Sequence, residues 1–209
     1  PDEMTLLWKL KECIEAGKNV VFFSTSRAFI KKKVALLLHD LLSPDDYPIY
    51  LPVQGGHDLR DAENEWCGKR VVVYNSTITV GVDFNIPGVF NTVLVYAQNF
   101  GCGPVRDIFQ AIHRVRKIVD EEIWFWLGSM PEPGHTPIKT LSGAQQYVDS
   151  CVELRDWEPK NLAEECLAPT WLKNLHVYNI LELGLSKNRY KEVFSHYLER
   201  CGYQKKRLT

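Results

Sequence analysis

Two closely spaced arginines follow a glutamine in the segment 107–117, which reads DIFQAIHRVRK. Gln110, Arg114 and Arg116 offer N–H donors that suit phosphate oxygens, and a guanidinium presents several of them in a fixed fork. On a helical wheel the apolar residues of this segment share one face, and its polar residues gather on the opposite face. Taken alone, the segment favours an amphipathic surface helix with solvated arginines.

A second polar segment directly follows a short apolar run. Residues 74–84 read YNSTITVGVDF and include Thr77, Thr79, Gly81 and Asp83. Open α/β sheets bind ligands at the carboxyl ends of their strands. Hydroxyl and backbone N–H groups there can hold phosphate oxygens, Gly81 lets the backbone approach, and Asp83 can accept a hydrogen bond from a ribose hydroxyl. Taken alone, the segment could equally be an ordinary exit from a strand.

A third polar group consists of Ser24, Thr25 and Ser26, which follow the apolar run 20–23. A short run rich in valine and phenylalanine is typical of a strand that is buried on both faces of a parallel sheet. Ser26 precedes a helical pattern and is predicted to cap that helix.

The scaffold for these segments is predicted to be an α/β fold. Strand patterns alternate with helical ones, which indicates a parallel sheet with helices on both faces over residues 1–128. Prolines then mark a linker, and helical periodicity follows, so residues 129–209 are predicted to form a linker and a small helical appendage. The predicted strands are 20–23, 49–53, 71–74, 93–96 and 123–127, and a helix is expected over about 105–114.

The composition is that of an ordinary globular protein, with 45% hydrophobic and 24% charged residues. The formal net charge is -1, so nucleic-acid binding would need local sites because no overall basic field exists. The six cysteines form no CxxC pair, which predicts reduced thiols in an intracellular protein. The polar run 57–65 favours a solvated helix, and we predict no metal site in it.

In their order and spacing the three segments resemble the second RecA-like lobe of superfamily 2 helicases. That lobe carries a strand followed by Ser or Thr (motif IV), then T-x5-G-x-D (motif V), then Q-x-x-G-R-x-x-R (motif VI). Residues 23–26, 76–83 and 110–116 follow this order. The chain also resembles the herpesvirus-type origin-binding proteins, which read Q-x-x-G-R-V-R and T-V-G-L-S-F, and the primase-helicases of large DNA viruses.

Three positions depart from the family pattern. His113 stands where the family has glycine, and Asn75 stands where many members have the motif V threonine. The second arginine, Arg116, falls one residue earlier than in most of the superfamily.

The resemblance implies an ATP-dependent DNA helicase that acts in replication. Arg114 and Arg116 would be arginine fingers on the γ-phosphate of ATP, and Gln110 would orient their helix. Gly81 and Asp83 would couple the nucleotide state to DNA contacts. The hydroxyls expected to contact the DNA backbone are those of Ser24, Thr25, Ser26, Thr77 and Thr79.

Both arginines can reach phosphate only if the helix that carries them ends early. A regular helix would turn Arg114 and Arg116 about 200° apart. We therefore expect regular helical hydrogen bonding to be lost by about Lys117, with both guanidinium groups on the side of Gly81 and Asp83.

The phosphate-cradling motif G-x4-G-K-[ST] is absent from the sequence. The acidic run 120–122 matches the Mg²⁺-binding motif only in letters and is predicted to be a solvated turn before the last strand. ATP and Mg²⁺ would therefore be bound mainly by an upstream RecA-like lobe of the same polypeptide. This chain alone is not expected to hydrolyse ATP.

The expected partners are DNA and that upstream lobe, with a primase or another replication protein as a further candidate. The chain begins abruptly and contains no run long enough to cross a bilayer, which predicts an intracellular fragment of a longer protein, in the host cytoplasm or nucleus if it is viral. Two alternatives stay open: a non-catalytic nucleic-acid-binding or assembly module with a RecA-like shape, and a metal-dependent nuclease or Toprim-like domain. Hydroxyls and asparagine at the strand ends count against the last.

Overall fold

The computed structural model describes residues 3–52, 59, 61–76, 78, 82–99, 103–128, 138–155 (without side chains beyond 150) and 170–206. Helices are interspersed with strands up to residue 128, and the elements described beyond it are all helices. The elements are α1 (Glu3–Glu15), β1 (Val20–Ser24), α2 (Arg27–Phe29), α3 (Ala35–Leu41), β2 (Ile49–Tyr50), α4 (Ala62–Trp66), β3 (Val71–Tyr74), β4 (Phe90–Gln98), α5 (Val105–Ile112), β5 (Ile118–Gly128), α6 (Leu141–Arg155), α7 (Thr170–Asn188) and α8 (Tyr190–Arg200). A π-helical turn, Ile30–Val34, joins α2 and α3 into one continuous helix.

The five strands form one parallel sheet in the order β2-β3-β1-β4-β5. β1 lies at its centre, with Phe23 paired to Tyr74 of β3 and to Val95 of β4. This confirms the predicted α/β fold. Three of the strands differ from the prediction by more than one residue: β2 ends at Tyr50, β4 spans nine residues and β5 spans eleven.

Successive residues of the central strand point to opposite faces of the sheet. Val20 and Phe22 pack with α1 and α3 in one apolar cluster, whereas Val21 and Phe23 pack with α5 and α8 in another. All four side chains are buried, and burying each contributes roughly 1.5–3 kcal/mol relative to leaving it in water. The predicted helices on both faces are therefore confirmed.

A glycine ends the first helix. Gly17 adopts a φ of +76°, which glycine tolerates without steric cost. This turn lets the Lys18 N–H donate to the carbonyl of Cys13 at 2.9 Å, closing the helix end.

The C-terminal helix α8 packs directly on the α/β layer. The Phe194 ring is fully buried, and its centroid lies 5.0 Å from that of Phe109 on α5 and 5.1 Å from that of Phe125 on β5. Helix α6 packs on α7 through Ala144, Val148 and Val177 in a smaller cluster. The helical segment after β5 is thus confirmed, whereas the division at residues 128 and 129 stays a prediction. The proline-rich segment 129–137 lies outside the described residues.

The acidic run 120–122 is not a turn before the last strand, which corrects the prediction. It lies inside β5, where the pairing shifts from Phe90 with Ile118 to Thr92 with Glu122. Glu121 has a φ of 52° at this bulge. The bulge is tolerated because β5 is an edge strand of the described sheet, and bulges interrupt pairing at such edges.

The tryptophans divide between packing and exposure. Trp66 is fully buried, whereas Trp8 and Trp171 are 66% and 65% exposed. Trp157 lies outside the described residues. Among the described helices, none is long and apolar enough to span a bilayer.

Replacing Phe194 by alanine should destabilise the whole α/β layer, because the ring fills the space between α5 and β5. The expected loss of unfolding free energy is about 3–5 kcal/mol. Tyr178→Ala on α7 is the matched aromatic control, because that ring is 59% exposed and should cost less than about 1 kcal/mol. Urea unfolding of both variants measures the difference, and equal losses would show that α8 does not belong to the core.

Candidate functional site

Helix α5 ends at Ile112, before the first of the two arginines. The His113 N–H donates to the carbonyl of Phe109 at 3.1 Å, and the Arg114 N–H donates to that of Ala111 at 3.2 Å, which tightens the last turn. The residues from 113 onward leave the helix. The predicted loss of regular helical bonding by Lys117 is confirmed.

A short parallel bridge joins this turn to the segment that follows β3. Val115 pairs with Phe84: the Phe84 N–H donates to the carbonyl of Arg114 at 2.7 Å, and the Arg116 N–H donates to the carbonyl of Phe84 at 3.1 Å. In an extended pair, residues two apart share a face. Because Val115 is buried, Arg114 and Arg116 project together on the opposite side.

Each arginine contacts the segment before Phe84. The Arg114 Nη1 donates to the carbonyl of Val82 at 3.2 Å, and its side chain is half-buried. The Arg116 Nε lies 2.8 Å from an Asp83 carboxylate oxygen, with both side chains more than half exposed. The two guanidinium groups therefore lie beside residues 82–83, as the helix geometry predicted. Asp83 acts here as a carboxylate partner of Arg116.

Asp83 does not lie at the carboxyl end of β3, which corrects the placement predicted from sequence. The ring of its neighbour Phe84 lies 5.2 Å from that of Phe90, the first residue of β4. Arg116 lies two residues before β5 begins. Because Val82 and Phe84 are buried in the cluster on one sheet face, residues 82–84 lie on that face near the amino ends of β4 and β5.

The buried Tyr74 hydroxyl supports the same turn. It donates to the carbonyl of Ala111 at 2.9 Å and so links the end of β3 to the last turn of α5. Burial raises the pKa of Tyr74 above its ordinary value, and the charge of Arg114 acts in the opposite direction. Tyr74 therefore stays a neutral donor at any pH at which the protein would work.

A cavity of about 510 Å³ opens beside the two arginines. Its floor is apolar and its rim is polar. Gln110 is exposed at this rim, which places the three predicted catalytic residues around one space. The lining residues are Gln110, Ile112, His113, Arg114, Val115, Arg116, Ile118, Ile123 and Tyr203.

The three hydroxyl-bearing residues after β1, Ser24 to Ser26, lie at the other end of the sheet, where they form a turn. Ser24 is fully buried, and its hydroxyl donates to the carbonyl of Ser26 at 3.2 Å while accepting from the Ser26 N–H at 3.0 Å. The Ser24 hydroxyl is therefore used within the turn, and no part of its side chain is exposed for a DNA contact in this structure. The predicted helix cap is confirmed, since the Ser26 hydroxyl accepts the Phe29 N–H at 3.2 Å.

Thr25 ties this turn to the neighbouring strand β4. Its hydroxyl accepts the Gln98 N–H at 2.9 Å, and its own N–H donates to the carbonyl of Tyr96 at 3.0 Å. Thr25 and Ser26 are only half-buried, and a hydroxyl that accepts one bond still carries a proton to donate. These two hydroxyls remain able to meet a ligand at the carboxyl ends of β1 and β4.

Three predicted site residues, Thr77, Thr79 and Gly81, lie outside the described residues, as do His57 and Asp58 of the polar run. Asp61 precedes α4, and that helix contains Glu63 and Glu65, as the solvated-helix prediction implied. Within the part of the chain that the structure describes, no group of three or more His, Cys, Asp or Glu side chains could hold a metal ion.

The sequence reasoning missed Tyr203, which lines the arginine cavity from a position almost ninety residues further along the chain. Its hydroxyl lies 2.8 Å from the Nε2 of His113. No periodicity or motif connects these two positions. The one available signal was the histidine itself, which replaces a family glycine beside the arginines.

Sequence comparison places relatives of this chain among herpesviruses. Residues 2–205 match the family described as origin of replication binding protein. The replication origin-binding protein of human herpesvirus 2 (strain HG52) is 25% identical over 96% of this chain and 22% of its own length. That of human herpesvirus 6A (strain Uganda-1102) is 28% identical over 65% of this chain and 16% of its own length. The chain thus spans about a fifth of these relatives.

Among solved structures, the second domain of the DEAD-box helicase Mss116p bound to an RNA duplex aligns with 94% of this chain and 89% of that domain. The sequence identity is 11% and the TM-score is 0.41, a value too low to define a shared fold.

Replacing Asp83 by asparagine should leave stability nearly unchanged. The Asp83–Arg116 pair is screened by solvent, so its loss should cost less than about 1 kcal/mol of unfolding free energy. Phe84→Ala, one residue away, removes a fully buried ring and should cost about 3–5 kcal/mol. Urea unfolding compares the two variants. If Asp83→Asn were as costly as Phe84→Ala, the ion pair would be a structural element and not a free site contact.

Proposed function

The chain belongs to the herpesvirus origin of replication binding protein family, and on that premise we propose that its α/β layer is the second, RecA-like motor lobe of an ATP-dependent DNA helicase that acts in DNA replication. The observation that carries this proposal is the extended segment after α5. It points Arg114 and Arg116 to one side, beside an open cavity. Two cations that share a face suit the charge of a triphosphate.

The proposed role of the two arginines is electrostatic. When phosphoryl transfer begins, negative charge develops on the oxygens around the γ-phosphorus, and a fixed guanidinium stabilises it. Arg114 is the principal finger, because it is half-buried and held by the bridge to Phe84. Arg116 is more exposed, and contact with the nucleotide would require it to leave Asp83.

The donor set fits the phosphate end of ATP. Arg114, Arg116 and Gln110 can each donate to phosphate oxygens, whereas the described residues around the cavity offer no cradle of backbone N–H groups for the β-phosphate. ATP supplies the phosphoanhydride bond that is hydrolysed. We propose that it is bound with Mg²⁺ mainly by a first lobe elsewhere in the longer protein, and that this chain completes the site from across a cleft.

Asp83 and Gly81 have a proposed role in coupling. Asp83 pairs with Arg116 at 2.8 Å, so an arginine that turns to phosphate would release the carboxylate. In the sequence, Thr77 and Thr79 lie between β3 and Asp83. We propose that release of Asp83 on nucleotide binding changes the DNA contacts of these two hydroxyls.

The proposed DNA contacts lie at the carboxyl ends of β1 and β4. Thr25 and Ser26 offer hydroxyls there, and the exposed Arg27 and Lys31 lie one turn apart on the helix that Ser26 caps. Hydroxyl and cationic side chains of this kind bind the phosphate backbone without contacting the bases. Ser24 has no place among them, and its role is to hold the turn.

Replacing Arg114 by alanine in the full-length protein should reduce kcat for DNA-stimulated ATP hydrolysis by on the order of 10³ or more, as expected for an arginine finger. The KM for ATP should change much less, because the interaction forms mainly in the transition state. Steady-state assays over a range of ATP concentrations separate the two parameters.

Arg106→Ala is the matched control for this experiment. Arg106 lies on the same helix, is about half exposed and pairs with Glu182 at 2.9 Å on the far side from the turn. This variant should retain the wild-type kcat. An Arg114→Ala enzyme as fast as the Arg106→Ala enzyme would reduce α5 to a surface helix and leave the non-catalytic binding module as the better account.

DNA binding should depend on salt and on Arg27. Each phosphate neutralised by a cation contributes about 0.9 to the slope of log K against log salt concentration, so Arg27→Ala should lower that slope by about one. Lys18→Ala is the control, because Lys18 precedes β1 at its amino end and pairs with Asp120. Fluorescence anisotropy at several salt concentrations measures both slopes. Tight binding that persists at high salt would contradict backbone contact alone.

A further inference from the structure

The C-terminal helices hold both ends of helix α5. At its start, the Val105 N–H donates to the buried hydroxyl of Ser186 on α7 at 3.1 Å. At its end, the ring of His113 reaches the hydroxyl of Tyr203, which follows α8. The middle of α5 packs through Phe109 on Phe194. The helix that carries the arginines is therefore set in place by residues far beyond it in the sequence.

The bonding of His113 fixes the direction of its contact with Tyr203. The His113 Nδ1 lies 2.6 Å from the carbonyl oxygen of Phe109. A carbonyl oxygen can only accept, so Nδ1 must carry the proton in that bond. In the neutral ring the Nε2 is then an acceptor, and the Tyr203 hydroxyl donates to it at 2.8 Å. The imidazole thus bridges the last turn of α5 and the segment after α8.

Tyr203 is itself a fixed partner and not a loose tail residue. Gly202 adopts a φ of +80°, a conformation that favours glycine, and turns the chain back after α8. The Tyr203 N–H then donates to the carbonyl of Leu198 at 2.9 Å. Because α8 is anchored in the core by Phe194, the hydroxyl of Tyr203 has a defined position beside the cavity.

The turn between α5 and β5 is consequently held from two sides. On one side the bridge to Phe84 holds the backbone of Arg114 and Arg116. On the other side the ring of His113, the residue before Arg114, is held by Phe109 and Tyr203. Removing the second support would leave the turn held by the bridge to Phe84 and by the Tyr74 hydroxyl, and Arg114 would sample more orientations.

We propose that His113 and Tyr203 are a positioning pair for the arginine finger, so that the segment after α8 takes part in ATP hydrolysis without touching the nucleotide. This inference rests on the proposed function of Arg114. It assigns a role to His113, which stands beside the arginines at a position where motif VI of the family has glycine. The pair acts by orientation, so its effect belongs to kcat and not to ATP binding.

The test uses Tyr203→Phe in the full-length protein, because phenylalanine keeps the ring and removes only the hydroxyl. Loss of one orienting hydrogen bond should lower kcat for ATP hydrolysis by about threefold to tenfold. The KM for ATP should stay within about twofold, since ground-state binding is mainly the task of the other lobe. A purely structural role would instead lower the melting temperature and leave kcat unchanged.

Tyr197→Phe is the matched control. Its hydroxyl also lies on the C-terminal helix α8, but it donates to Glu182 at 2.8 Å and has no contact with His113 among the described interactions. Its ring packs on Phe109 as before, at 5.4 Å. This variant should match the wild-type kcat, so a fall seen with both tyrosine variants would indicate a general loosening of α8 and would overturn the positioning pair.

A double-variant cycle tests whether the two residues act together. If they form one pair, His113→Ala combined with Tyr203→Phe should lower kcat no more than His113→Ala alone. If the fold reductions in kcat of the two single variants multiply in the double variant, the pairing is contradicted. Arg114→Ala in the same assay distinguishes failure of this inference from failure of the proposed function. If kcat falls with Arg114→Ala but not with Tyr203→Phe, the positioning pair alone is overturned. If kcat falls with neither variant, the proposed function is overturned as well.

Discussion

The parallel bridge between Phe84 and Val115 is the constraint on which the candidate site depends. Two backbone hydrogen bonds, of 2.7 and 3.1 Å, hold an extended segment where a helix would otherwise continue. The buried rings of Phe84, Phe90 and Trp66 fix one half of the bridge in the core. In the other half of the bridge, Val115 therefore points inward and the two arginines point outward. A regular helix could present only one of them.

The sequence was informative wherever local pattern decides structure. Alternation of apolar runs with helical periodicity predicted the parallel sheet and its two helical layers, and Ser26 marked a helix start correctly. Helical geometry also predicted that α5 must end near Arg114. It could not predict which conformation follows, because the partner Phe84 lies about thirty residues earlier, within residues 82–89, which belong to no helix or strand.

The errors share one physical cause, which is tertiary placement. Asp83 was expected at the carboxyl end of β3, but its neighbours Val82 and Phe84 are buried on a sheet face, so Asp83 lies near the amino ends of β4 and β5. Ser24 was expected to meet DNA, but its hydroxyl satisfies the turn behind it. Tyr203 could not be found from sequence, because only the packing of α8 brings it to His113. The two groups of polar residues therefore lie at opposite ends of one sheet, so the proposed nucleotide and DNA contacts are separated by the length of its strands.

The central claim is that Arg114 is oriented by the bridge so that it can contact the γ-phosphate of ATP. A structure of the full-length protein with Mg²⁺ and a non-hydrolysable ATP analogue tests this most directly. The account predicts the Phe84–Val115 bridge intact and an Arg114 guanidinium nitrogen about 3 Å from a γ-phosphate oxygen. An analogue bound between the lobes, with Arg114 still directed at the carbonyl of Val82 and no arginine of this turn near phosphate, would contradict it.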